Sequence, residues 1–201
     1  MLLGSKIDDM SNKCSDYMEL MRYLFEVRHK TDKFEKFENW ITGTDFFTAP
    51  ASTRFHGSFE GGLCEHHIDV YNETVDLLTL PKFKDVNPDS AYLVALVHDF
   101  CKIGQYVPYM RNVKNDETGQ WEKVQAYKYD KPAFPFGHGV TSMWIASKFL
   151  PMSFEEMLAV RWHMSEYNCC ENEMSELQEA RDRYPLVLLI QTADRMSITA
   201  Y

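Results

Sequence analysis

A chain of 201 residues is long enough to bury a proper core and short enough to be one domain. With 45% hydrophobic and 25% charged residues it has the composition of an ordinary globular protein. Its net charge of -9 excludes a general duplex-binding surface, because affinity for nucleic acid comes mostly from neutralising phosphates, yet leaves room for an active site that takes a phosphate.

The opening residues, Met1 to Lys6, are too poor in apolar side chains for a signal peptide. No later run approaches the roughly 20 apolar residues of a membrane span, so a cytoplasmic protein without membrane contact is expected. The cysteines at 14, 64, 101, 169 and 170 form no CxxC pair, which predicts free thiols. Residues 15–28 carry Met18, Met21, Leu24 and Phe25 at helical spacing behind Ser15 as N-cap, and predict a packing helix that ends near the surface residue His29. Residues 33–41 give a second short amphipathic segment. Residues 42–62 lose periodicity and gather glycines, a proline and small polar residues, so they predict a loop, and a loop of this length is uncommon unless it is functional or has structure of its own. His56 sits in it.

A helix is expected from Leu63 to Leu78. Its projection puts Leu63, Val70 and Leu77 on one face with His67 nearest the centre and His66 toward the edge; an edge position would suit a residue lining a cleft, so the projection does not choose between them. Pro81 ends this helix, and Asn87-Pro88 caps the next, which is expected to carry His98, Asp99 and Lys102 before Gly104 closes it. Residues 105–131 predict a β-hairpin, Tyr106 to Val113 and Gln120 to Tyr129 around an Asn-Asp-Glu-Thr-Gly turn, acting as a surface feature or as a lid. Gly137-His138-Gly139 then leads into a helix over 140–150. Ser153 and Glu156 form a capping box for the helix that bears Trp162 and His163, residues 171–182 read as a solvated helix, and residues 184–197 read as an apolar helix interrupted by Asp194.

The ionisable residues that interrupt apolar helices are therefore His66, His98, Asp99, His138, His163 and Asp194. A His-Asp doublet alone could be a hydrogen-bonded core pair, since a buried carboxylate needs either a cation or a donor network. Four histidines flanked by core residues in one chain favour a metal.

In this ordered set the chain resembles the HD-domain superfamily of metal-dependent phosphohydrolases. The matching residues are Glu65-His66 with Val70 four residues on, His98-Asp99 followed by Lys102 and Gly104, Gly137-His138-Gly139, Arg161-Trp162-His163, and Ala193-Asp194. The likeness is nearest to small phage and bacterial HD proteins and to the HD portion of certain 3′-to-5′ exoribonucleases, which share the look of residues 50–56 leading into Gly61-Gly62-Leu63; the nucleic-acid-binding domain preceding the HD portion in those enzymes is not expected within residues 1–49, which makes polynucleotide activity the less expected one. The resemblance implies an all-α fold: an HD core over residues 50–197, an N-terminal helical extension over 1–49 packed on it as part of one domain, and a hairpin insertion near 105–130. It also implies His66 rather than His67 as first ligand. One ion would be held by His66, His98, Asp99 and Asp194, and a second by the bridging Asp99 with His138 and His163.

Imidazole and carboxylate ligands suit Mn, Fe, Co, Ni or Zn, and two such ions about 3.5 to 4 Å apart can ionise a bridging water and clamp a phosphoryl group. Lys102, one helical turn after His98, would donate to a phosphate oxygen. His56 would protonate the leaving oxygen or bind phosphate. Arg54, Arg111 and Lys114 are further candidates for substrate contact, and Tyr106 or Trp121 for stacking a base. The expected activity is hydrolysis of a nucleotide or short oligonucleotide phosphoester. Two alternatives are a mixed-valent di-iron oxygenase of the same superfamily and a protein that sequesters a nucleotide without turnover.

Overall fold

In the computed structural model, residues 4–7, 12–130 and 135–198 are described, apart from the side chain of Asn168. Met1 to Leu3 and Lys131, at the edges of two predicted segments, lie outside the described residues. Eight α-helices and one two-stranded antiparallel hairpin make up the regular structure among them: α1 (Lys13–Val27), α2 (Thr31–Thr42), α3 (Gly62–Leu77), α4 (Pro88–Val97), β1 (Tyr106–Lys114), β2 (Trp121–Tyr129), α5 (His138–Ser147), α6 (Phe154–Trp162), α7 (Met174–Arg183) and α8 (Pro185–Ser197). None of the helices is long and apolar enough to cross a membrane.

The centre is α4. Asn87 accepts from the backbone N–H groups of Asp89 and Ser90 at 2.9 and 3.3 Å, Pro88 occupies the first turn, and every residue from Ala91 to Val97 is buried. A helix apolar on all sides must be surrounded. Accordingly α1, α3, α6 and α8 all pack on it. The N-terminal pair joins through Tyr17, whose hydroxyl donates to Leu96 O at 2.8 Å, and through an aromatic cluster of Phe25, Phe34, Phe37, Trp40, Phe100 and Phe149. α1 starts at Lys13 rather than behind Ser15, with Asn12 at its N-cap position.

Two glycines set how closely segments approach. A Cβ on Gly62 would lie 2.1 Å from Gly57 O, so the loop that carries His56 can rest directly on the start of α3. One on Gly139 would lie 2.2 Å from Arg161 O, so α5 crosses the end of α6 backbone to backbone.

α4 stops earlier than its composition predicts. It ends at Val97, Asp99 departs from helical angles with ψ 21°, and Phe100–Lys102 form a separate 3-10 turn before Gly104 takes a left-handed φ of 71°. Lys102 therefore meets Asp99 from the next turn, three residues on, instead of sharing a continuous helical face with His98. The hairpin runs in the register Tyr106 to Tyr129 through Lys114 to Trp121, and the Asn115 side chain accepts from Glu117 and Thr118 N–H at its turn. The predicted capping box of α6 is present, with Ser153 N–H donating to Glu156 at 2.7 Å and Glu156 N–H to Ser153 Oγ at 3.2 Å.

Candidate metal centre

Five segments bring the six predicted donors to one place. His66 comes from α3, His98 and Asp99 from the break after α4, His138 from the first turn of α5, His163 from the end of α6 and Asp194 from α8. Asp99 is their hub. Its Oδ1 lies 2.5 Å from His138 Nε2 and 3.2 Å from His163 Nε2, while its Oδ2 lies 3.6 Å from both His66 Nε2 and His98 Nε2 and 2.6 Å from Lys102 Nζ. Asp194 Oδ1 is 3.2 Å from His66 Nε2.

The outer nitrogens explain why the inner ones point inward. His98 Nδ1 donates to Ala95 O and His163 Nδ1 to Val160 O, both at 2.8 Å, and a carbonyl can only accept. Ser197 gives its own proton to Asp194 O at 2.8 Å, so its Oγ is left to accept from His66 Nδ1 at 3.4 Å. When neutral, all three imidazoles thus share one tautomer, with the Nε2 lone pair aimed at the cluster, as metal-bound histidines have it.

One contact needs a cation or a proton. His98 Nε2 and His66 Nε2 are 3.2 Å apart, and two lone pairs cannot face each other at that distance unassisted. Burial drives His98 well below the usual imidazole range, whereas burial of His66 is outweighed by hydrogen bonds to Asp194 and Asp99, which raise it. The two shifts thus favour His66 over His98 as the holder of a shared proton. Burial alone would raise the Asp99 and Asp194 carboxyls, but Lys102, His98 and His138 hold the first well below its usual range and His66 lowers the second. Both stay ionised.

Donor type and spacing fit a transition metal. His66, His98 and Asp99 form one group of ligand atoms lying within 4.8 Å of one another, His98, His163 and Asp194 another, and Asp99, Cys101 and His138 a third. These groups overlap, and their membership differs from the division of ligands expected from the sequence. Cys101 is a donor that sequence reading missed, because no CxxC spacing marks it. Burial raises its thiol, and its own N–H is held by Ser142 Oγ at 3.0 Å.

Lys102 is only 7% exposed, so it is no solvated surface lysine, and its pairing with Asp99 outweighs burial to raise its pKa. His56 hangs over the same place, its ring 4.7 Å from that of His66. Burial first, then His66 and Lys102, push it down to about 4, and its buried Nε2 has no partner among the described residues. At neutral pH it is an uncharged imidazole offering an N–H or a lone pair.

His67 is the residue that periodicity selects as innermost, and it is fully buried. Its ring faces Phe46, Phe100 and His98, its Nδ1 donates to Leu63 O at 2.8 Å, and burial lowers it to about 3. His67 is thus packing beneath the site while His66, at the edge of the helix face, reaches the donors. The remaining candidates are not drawn in: Arg54 is exposed two residues before His56, Arg111 is exposed on β1, and Lys114 with Trp121 closes the strand pairing at the turn end of the hairpin, where Trp121 is 71% exposed. Tyr106, at the hairpin base, lies close enough to Lys102 for the two to influence each other's ionisation.

A cavity of about 530 Å³ opens on the His66 side of the cluster, bounded among others by Phe55, His56, Phe59, Asp69 and Ser197. Phe55 and Phe59 are the aromatic residues beside the site that sequence reading passed over. Comparison with protein-family models, curated proteins and solved structures gave no match for the chain.

Proposed function

We propose that the protein is a metal-dependent phosphohydrolase with an HD-type helical core over residues 50–197, acting on a nucleotide or short oligonucleotide phosphoester through two transition-metal ions. The observation that carries the reading is the inward aim of the His66, His98 and His163 Nε2 atoms onto two ionised carboxylates, each ring fixed by an oxygen on its outer side. The order of these residues along the chain, which resembles the HD superfamily, supports the same reading.

On this proposal His66, His98, Asp99 and Asp194 hold one ion, and Asp99, His138 and His163 the other. Such ions would supply Lewis acidity to the phosphoryl group and to the water that attacks it. The chain's own residues do the rest. Lys102 turns an ammonium toward the cluster and offsets negative charge on the phosphoryl oxygens. His56, neutral in the free protein, donates an N–H to a phosphate oxygen and takes a proton more readily once that dianion lies beside it. Asp99 keeps the imidazoles of both halves in register.

Metal content measured alongside phosphate release from a nucleotide panel tests the proposal. Bound metal with released phosphate or nucleoside, both lost in Asp99→Ala, is the expected result. Activity and metal content surviving Asp99→Ala would reject the binuclear site, and bound iron with oxygen consumption but no hydrolysis would favour the di-iron oxygenase.

A further inference from the structure

The cavity beside His66 has two kinds of wall. At its mouth stand Phe55 and Phe59, 81% and 47% exposed, apolar rings held out to solvent on the loop that Gly57 and Gly62 press against α3. Along its side run two carboxylates of α3, one on each flank of His66. Glu65 is paired with Lys13 at 2.6 Å. Asp69, one helical turn beyond His66, has no hydrogen bond or ion pair among the described residues, and burial together with Glu65 pushes it up to about 6. Among the described residues, no lysine or arginine lines this cavity.

Charge therefore divides the site into two ends. The cation Lys102 lies against Asp99, where a phosphate is balanced. In the cavity a second phosphate would meet Asp69 beside Glu65, whose charge already engages the nearby cation Lys13 at 2.6 Å, and like charges at short range oppose binding. What the cavity suits is an uncharged aromatic group with hydroxyl or amino donors: rings stack on Phe55 and Phe59, and carboxylates accept from neighbouring hydroxyls as acidic residues do from ribose.

We infer that this cavity is a pocket for the uncharged nucleoside part of the substrate, which makes the substrate a nucleoside monophosphate and not a triphosphate or an oligonucleotide. The inference rests on the phosphohydrolase reading above. In the reaction water adds to phosphorus, the P–O bond to the nucleoside breaks and the leaving oxygen takes up the proton that water gives up, so that nucleoside and inorganic phosphate are released.

The test uses the full chain loaded with Mn. Phosphate release is compared for a ribonucleoside monophosphate, its triphosphate and a dinucleotide, and binding of the phosphate-free nucleoside is followed by ligand-observed NMR, for the parent, Phe55→Ala and Asp69→Lys. Expected are a preference for the monophosphate in kcat/KM of about tenfold or more, a KM raised about tenfold by Phe55→Ala at unchanged metal content, and a preference reduced or reversed by Asp69→Lys. Equal turnover of triphosphate or dinucleotide by the parent, or indifference to both substitutions, would overturn the pocket while leaving the hydrolase standing. Nucleoside binding that Phe55→Ala abolishes, with no phosphate released from any substrate, would uphold the pocket and reject the hydrolase.

Discussion

Lys102 and a metal ion should compete for the same task, and the difference is measurable as stability. Lys102 Nζ lies 2.6 Å from Asp99 Oδ2, with side chains 9% and 2% exposed. At an effective dielectric constant of about 20, that separation corresponds to a gross attraction of about 6 kcal/mol. The desolvation of both groups cancels part of it, and Asp99 keeps the donor at His138 Nε2 when the lysine is gone. Lys102→Met, which preserves length but leaves the carboxylate short of a cation, should therefore cost about 3 kcal/mol in metal-free protein. For a domain of this size that is a fall in Tm of about 6 to 12 °C. An ion bound at Asp99 replaces the missing charge, and removing the ammonium also removes a repulsion against that ion. With saturating Mn the loss should shrink to roughly half or less. Urea unfolding of both proteins, with Mn and with chelator, reads the four stabilities directly. An equal loss under both conditions would show that Lys102 and the ion do not share Asp99, and would refute the reasoning.

Ser197→Ala removes the hydroxyl holding His66 Nδ1 and should weaken metal binding by about tenfold in isothermal titration, with little change in the unfolding free energy read in urea. Gly139→Ala places a methyl 2.2 Å from Arg161 O and must part α5 from α6; we expect about 2 kcal/mol of destabilisation and loss of bound metal, because His138 and His163 ride on those two helices. Glu156 is 1% exposed, and although burial raises its carboxyl, the bonds from Arg28, Ser90 and Ser153 lower it overall. A depressed carboxyl stabilises the fold above its unfolded value and loses that contribution as pH falls through its folded value. Glu156→Gln should thus cost about 2 kcal/mol at pH 7 in urea unfolding, with the gap to the parent closing as the pH drops below the usual glutamate value.

Much of the helical scaffold is legible in the sequence because local rules and tertiary packing agree there. Asn87-Pro88 and the Ser153–Glu156 box start helices where they are written, and the hairpin follows its turn residues. The six donors are equally legible as ionisable residues interrupting apolar runs. What escapes are features decided by a partner far along the chain. The break of α4 at Val97 follows no proline or glycine; Asp99 has to turn out of the helix to meet His138 and His163. Periodicity finds the side chain nearest the bundle centre, His67, and so misses that the donor facing Asp99 and Asp194 stands at a seam between helices, at His66. Ser197, Cys101 and the Phe55–Phe59 pair carry no motif, since a hydroxyl, a thiol and two loop aromatics acquire their roles only from what faces them. Arg28 reads only as the end of a packing helix, yet it reaches Glu156 across the fold.

The scattering of the donors also fixes when the centre can come into being. Its members come from α3, the turn after α4, α5, α6 and α8, and the His66 ring and the Ser197 hydroxyl that steadies it are 131 residues apart. Contacts of that span form only after the local helices have closed the intervening chain, since loop entropy must be overcome before they return any energy. No early hairpin or helix pair holds more than a fraction of the donors, so an ion at the proposed site would not act as a nucleus for folding. It would be captured by a finished protein, since during synthesis α8, with Asp194 and Ser197, emerges after every other donor. Loading of the proposed site would in effect be a proofreading of the whole chain.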